Sequence, residues 1–314
     1  MFFLITGGLG YLGGRLAEHL TQKGHRVRLT TRRPRETWPI WARNLDVQQV
    51  DVFDKTSWKN ALHSIDFVFH LASPDVDMAA QDPISALRAG GEIAWGLLDV
   101  LAGGDKKIPI VNISTFHVYG PRVQGLMDET LSPRPVHPYA ISHLFSEIVV
   151  NSFCDAGKVN GLNVRLSNTF GRPVSSDSAK WPLVFNDLCR QAVETNQLVL
   201  KSSGSQKRNF VTLEDTVRAL LFLAGNQDGW PQDRIIHLGS SIQMSVREVA
   251  EFVARRSKEV LQKELVLVCR GSASETLISD FVFDVTRLKR AGFSWKNRIE
   301  NEVDGTLTAC REWL

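Results

Sequence analysis

The chain has 314 residues, 43 % of them hydrophobic, which is enough for one large α/β domain or for two lobes with a sizeable core. Its 37 basic and 34 acidic residues leave a formal charge of +3, too balanced for a sequence-wide attraction to nucleic acid or to a membrane surface. Four dispersed cysteines, Cys154, Cys189, Cys269 and Cys310, lack paired metal-ligand spacing and read as reduced, buried thiols of a cytoplasmic protein with no metal site.

The opening apolar run breaks into glycines after five residues, too short for a signal peptide, and no stretch approaches the roughly 18 apolar residues of a membrane span. Apolar runs then alternate with helical patterns. FFLIT precedes a helix near 11–23, RVRLT a second near 55–62, and IDFVFHLA a third near 83–102. IPIVNIS, a helix near 139–156 and LNVRLSN continue the rhythm. This predicts a Rossmann-type, doubly wound parallel sheet. Beyond residue 171 the order loosens. Helical patterns at 181–194, 213–225, 245–262 and 297–313 alternate with LVLK, RIIHLG and ELVLV, which suits a smaller, interleaved C-terminal α/β substrate lobe. The expected division is a dinucleotide-binding domain over 1–171, with returning segments near 205–238, and a discontinuous lobe mainly over 172–314.

Directly after the first strand, TGGLGYLGG places Gly7, Gly10 and Gly13 at a spacing that opens a helix. Such a turn brings backbone N–H groups up to a pyrophosphate without obstruction by Cβ atoms, with Tyr11 and Leu12 in the same turn. At the end of the second strand stand Thr30, Thr31, Arg32 and Arg33, with no carboxylate to repel a phosphate. A hydroxyl at Thr31 and the guanidinium of Arg32 suit a ribose 2′-phosphate, so NADP is favoured and NAD is the alternative. Asp51 and Val52 are expected to close the third strand, with Asp51 either meeting the adenine or capping a turn. Leu71, Ala72 and Ser73 follow His70 at the end of the fourth strand, on the cofactor side, where His70 itself reads as a packed core residue.

The next strand ends in NISTFHVYG, and HPYAISH follows, with Tyr139 and His143 one helical turn apart on one face. In order, TGGLGYLG, DV, HLA, STFHVYG, PYAISH, RLSNTFG, KRNFVTLED and FDVTRLKRAGF span nearly the whole chain. In this series the chain resembles the extended short-chain dehydrogenases/reductases of the NAD-dependent epimerase/dehydratase family. The resemblance implies Tyr139 as general acid/base, with Thr115 holding the same substrate oxygen while a hydride passes between nicotinamide and substrate. It implies Asn168 and Arg208 as contacts of a nucleotide-linked sugar. A homodimer built on the helix after Tyr139 is expected, although that apolar face could equally cover its own sheet.

Two positions depart from the family. His143 stands where the Tyr-x-x-x-Lys pattern has lysine, so it could keep a contact to the nicotinamide ribose while losing most of the charge. Gly90 stands near a usual asparagine. Phe116 and His117 replace the Asp-Glu pair of dehydratases, and His117 is either a second proton carrier or an imidazole packed beside Tyr119. The resulting expectation is a nucleotide-sugar epimerase or keto reductase. The alternatives are an NADPH-dependent reductase of small ketones or aldehydes and a cofactor-binding scaffold without turnover.

Overall fold

The computed structural model describes residues 1–121, 124–270 and 281–314. In chain order the strands are β1 Phe2–Thr6, β2 Arg26–Thr31, β3 Asp46–Gln49, β4 Phe67–His70, β5 Ile110–Thr115, β6 Gly125–Met127, β7 Gly161–Leu166, β8 Asn168–Phe170, β9 Gln197–Leu200, β10 Lys207–Thr212, β11 Ile235–Leu238, β12 Ile242–Ser245, β13 Val266–Cys269 and β14 Phe281–Phe283. The helices are α1 Tyr11–Gln22, α2 Lys55–Leu62, α3 Val76–Gln81, α4 Pro83–Ala102, α5 Pro138–Asp155, α6 Val184–Glu194, α7 Leu213–Gly225, α8 Val246–Leu261, α9 Thr286–Arg290 and α10 Ile299–Trp313.

The chain divides into two compact units. The first comprises residues 1–122, 129–166 and 220–237 and carries a seven-stranded sheet in the order β11-β7-β5-β4-β1-β2-β3. From β7 to β3 every neighbouring pair is parallel. Continuous apolar strands such as β1 and β4, buried along their whole length, are what a sheet covered on both faces requires. Phe3 stacks on Phe69, and Trp58, Leu97, Leu98 and Val150 belong to the core beneath the helices. The strand order reverses between β1 and β4, and in such sheets the crevice beyond the carboxyl ends at the reversal is where ligands bind.

The second unit comprises residues 123–128, 167–219 and 238–314. It holds a three-stranded sheet, β12-β10-β8, and the pairs β13-β9 and β14-β6. Phe170 and Phe185 stack with ring centroids 3.8 Å apart, in a core shared with Leu188, Val249 and Leu307 from α6, α8 and α10.

The units differ from the sequence-based division in three places. Residues 205–219 lie in the second unit because β10 pairs with β8 and β12, so the returning segment starts at 220. Residues 167–171 also lie there, because β8 joins that sheet. Finally, residues 125–127 pair with β14. The third strand also ends earlier than expected, at Gln49, and Asp51 and Val52 follow it in a turn.

Candidate functional site

The turn after β1 is shaped by its glycines. Gly7 has φ +66°, in the left-handed region that favours glycine, and a Cβ there would stand 3.0 Å from the Ala72 backbone nitrogen. A Cβ on Gly13 would stand 2.6 Å from the Gly7 carbonyl oxygen, so this first turn of α1 can approach β1 only as glycine. Gly10 is the N-cap of α1 and offers no side chain to the helix start. A helix N-terminus presents N–H groups without intrahelical acceptors, and here they open at the carboxyl end of the first strand.

Thr6, at the end of β1, ties this turn to β4. Its Oγ1 accepts the N–H groups of Leu71 and Ala72, each at 3.1 Å, and lies 2.7 Å from Nδ1 of His70. With two donors already on the oxygen, the hydroxyl proton belongs on the bond to Nδ1. That makes His70 a neutral imidazole protonated on Nε2. Burial likewise pushes its pKa down to about 4, helped by the nearby His143.

At the end of β2, the Thr31 hydroxyl accepts the Arg33 N–H at 3.1 Å, and Trp38 donates its indole N–H to the Arg33 carbonyl at 2.9 Å. Arg32, Arg33 and Arg35 are exposed. Asp51 is exposed too, and its carboxylate accepts the Phe53 N–H at 3.0 Å, the turn-closing alternative of its two readings. Val52 is buried, with its carbonyl accepting from Trp58 Nε1 at 3.1 Å. Ser73 is exposed, whereas Leu71 and Ala72 are half-buried.

The start of α5 and the end of β5 carry the reactive groups. His137 caps α5, its Nδ1 accepting the Tyr139 N–H at 3.2 Å, and Pro138 supplies the preset φ of a first helical residue. The Thr115 hydroxyl, at the end of β5, acts on the Tyr139 phenol. Burial raises the Tyr139 pKa, Thr115 opposes that rise, and the negative charge of Asp75 adds to it. His143 is 5 % exposed and its ring centroid lies 4.6 Å from that of Tyr139, so the two do share one helix face. Burial pushes the His143 pKa down to about 4. A hydrogen bond with the Ile113 backbone works in the opposite direction, and His117 lowers it further. His143 Nε2 is buried with no hydrogen-bond partner. His117 is exposed, its ring centroid 4.1 Å from that of Phe116 in a tilted arrangement and 6.3 Å from that of Tyr139 edge-on. It is not a core residue, and the Tyr119 hydroxyl is hydrogen-bonded to His237 Nε2 at 2.5 Å.

Three features of this region escape a reading of the sequence. Asp75 caps α3 through the Met78 N–H at 2.8 Å and carries its charge towards Tyr139. Its only signal is an acid shortly after HLAS, before a short helix. Gly90 and Gly91 let α4 touch α5 directly, since Cβ atoms on them would collide with Ser142 and with the Phe145 ring. Behind Thr115 runs a buried polar chain. Ser114 donates to Glu147 at 2.5 Å, Arg165 pairs with Glu147 at 2.7 Å, and Arg165 donates to the Tyr119 hydroxyl at 2.7 Å. Glu147 lies one turn past His143 on the same face of α5, which is the pattern that could have drawn attention to it.

Within the second unit, Asn168 on β8 donates to the Asn209 carbonyl at 2.8 Å, and Arg208 precedes Asn209 on β10. Arg208 is half-buried, which lowers its pKa through loss of solvation. Among the described residues no group of three or more His, Cys, Asp or Glu could hold a metal ion, and no helix is long and apolar enough to cross a membrane.

Comparison with known proteins bears on this arrangement. The chain is 26 % identical to the UDP-N-acetyl-alpha-D-glucosaminuronate decarboxylase of Bacillus cytotoxicus over 79 % of its own length and 78 % of that protein. It is 29 % identical to the UDP-glucuronic acid decarboxylase 1 of Xenopus tropicalis over 80 % of its length, spanning 59 % of that longer protein. In fold it resembles the UDP-glucuronic acid 4-epimerase of Bacillus cereus, solved with UDP-glucuronic acid and NAD, with a TM-score of 0.81, 19 % identity and 99 % of each chain covered. It also resembles RMD of Pseudomonas aeruginosa, solved with NADPH, with a TM-score of 0.80, 22 % identity and 99 % of each chain covered. The family model for the NAD dependent epimerase/dehydratase family matches residues 3–239, and the chain belongs to that family of enzymes.

Proposed function

We propose that the protein is an NAD(P)-dependent epimerase or keto reductase acting on a nucleotide-linked sugar. The observation that carries this reading is the pairing of Tyr139 with His143, ring centroids 4.6 Å apart, with the His143 Nε2 buried and unpartnered. A dinucleotide fits the residues present. The turn of Gly7, Gly10 and Gly13 leads into the uncapped N-terminus of α1, whose N–H groups suit a pyrophosphate, with Tyr11, Leu12, Leu71, Ala72 and Ser73 around it. Arg32 and Thr31 suit a 2′-phosphate, and NADP is therefore favoured over NAD. Asp51 and Val52 flank the adenine end. A nicotinamide, when bound, supplies the hydride chemistry.

The chain's own residues handle the oxygen and its proton. Thr115 holds the substrate oxygen by hydrogen bond. Tyr139, with its pKa raised, remains a phenol at neutral pH and gives its proton to the oxygen as a keto group is reduced, and the phenolate this leaves is the form that takes a proton when an alcohol is oxidised. The buried, unpartnered Nε2 of His143 is the atom available to a ribose hydroxyl. His117, exposed beside Tyr139, is placed to carry a second proton. Asn168 and Arg208 are the proposed contacts to the nucleotide sugar. The relatives' names support a UDP-sugar as the class to try first.

A second copy of the chain is the proposed partner, through the outer face of α4 and α5, where Trp95, Phe145 and Ile148 are 54 %, 44 % and 57 % exposed. A dimer in light scattering that Phe145→Glu dissolves supports it, and a monomeric wild type removes it.

The function is tested by incubating the protein with UDP-glucose or UDP-glucuronic acid and each of NAD⁺, NADH, NADP⁺ and NADPH, with products separated chromatographically. Conversion that falls at least about a hundredfold in Tyr139→Phe supports the reading. An identified reaction running at its normal rate in that variant refutes it. If NADPH is consumed in proportion to product the enzyme is a reductase, and if product forms without net redox change it is an epimerase. Turnover of small ketones alone favours the reductase that needs no nucleotide.

A further inference from the structure

We propose that this cofactor site favours the oxidised, cationic form of nicotinamide, because position 143 places an imidazole acceptor beside Tyr139 instead of an ammonium cation. The inference rests on the reading of the site as a dinucleotide site and goes beyond it to the cofactor's resting redox state. Oxidised nicotinamide carries a positive charge on its ring and the reduced ring carries none. A fixed cation beside it therefore weakens the oxidised form relative to the reduced one.

Two independent observations indicate that the imidazoles here are uncharged. The first is hydrogen-bond accounting. Thr6 Oγ1 already accepts from Leu71 and Ala72, so its proton goes to Nδ1 of His70, which must be bare of hydrogen. His143 leaves Nε2 buried with no partner. An imidazolium there would bury an unpaired N–H⁺, which burial strongly disfavours. The second is that both rings lie almost wholly out of solvent, His70 at 3 % and His143 at 5 % exposed, and they face each other electrostatically, so protonating either is opposed by the other. The negative charge of Asp75, which acts on Tyr139, has the sign that favours a cationic ring.

The magnitude follows from Coulomb's law. At about 10 Å and an effective dielectric of about 20, one unit charge changes the ratio of oxidised to reduced affinity by roughly tenfold.

The test is titration of the purified full chain with NADP⁺ and NADPH, and with NAD⁺ and NADH, by calorimetry at pH 7.5, for wild type, His143→Gln and His143→Lys. The wild type is expected to bind the oxidised form at least as tightly as the reduced. His143→Gln keeps the site neutral and is expected to leave the ratio within about twofold, and His143→Lys to move it about tenfold towards the reduced form. Tighter binding of the reduced form by wild type overturns the inference while leaving the dinucleotide reading intact. An unchanged ratio in a folded His143→Lys, or an equal shift in His143→Gln, also overturns it. If no form binds wild type, the dinucleotide reading itself fails.

Discussion

The carbonyl oxygen of Ser142 occupies the space that a Cβ on Gly90 would need. Two helices meet there backbone to backbone, and α5 is the one that carries Tyr139 and His143. The asparagine that the family resemblance places near this position therefore has no room. Gly90→Asn is expected to push α5 off β5 and to cost about 1–3 kcal/mol, because backbone rather than a flexible side-chain tip must yield. Thermal melting monitored by circular dichroism checks this, and an unchanged melting temperature would show that the helices part without penalty.

The two buried histidines make stability depend on pH. His70 and His143 are both pushed down to about 4, chiefly by burial, whereas an unfolded chain titrates near the ordinary value of 6.5. Between about pH 6.5 and 4 the unfolded state thus binds more protons, and the sign is fixed. The stability these residues contribute is fully present above 6.5 and is lost as pH falls towards 4, by at most about 3 kcal/mol each. Denaturation at pH 7.5, 6.0 and 5.0 should show a loss that is clearly smaller in His143→Gln.

How much of this was legible beforehand depends on the range of the cause. The alternation of strands and helices and the glycines after β1 have local causes, and the parallel sheet and its turn stand where the sequence placed them. Tyr139 and His143 share a helix face for an equally local reason. The early end of β3 was not legible, because it depends on Asp51 closing a turn with Phe53 and on Asp54 capping α2. Nor was the reason for Gly90, which lies in an element more than fifty residues away in sequence. His70 looked like an ordinary core residue and is indeed buried, but its contact with Thr6 arises only from the pairing of β1 with β4.

Activity should be indifferent to His143 titration. With both imidazole pKa values near 4 and the Tyr139 pKa raised, none of the three changes protonation between pH 6 and 9. Once a substrate is identified, His143→Asn is expected to lower kcat/KM without displacing its pH profile in that range. A limb near pH 6.5 that disappears in the variant would show that His143 works as a cation.

Glu147 and Arg165 are each 2 % exposed and form a two-pronged ion pair behind Thr115. Arg165 also donates to Tyr119, whose pKa burial pushes up to about 12, and Glu147 accepts from Ser114, the residue before Thr115. Removing one partner leaves the other charged in an apolar surrounding, so Arg165→Met is expected to cost about 3–5 kcal/mol. Glu147→Leu should cost a similar amount, and the double variant markedly less than the two added together, since no bare charge then remains. Urea denaturation of the four proteins completes the cycle. Costs that add within about 0.5 kcal/mol would mean that the residues do not act as a unit, and that some other contact fixes β5 against α5.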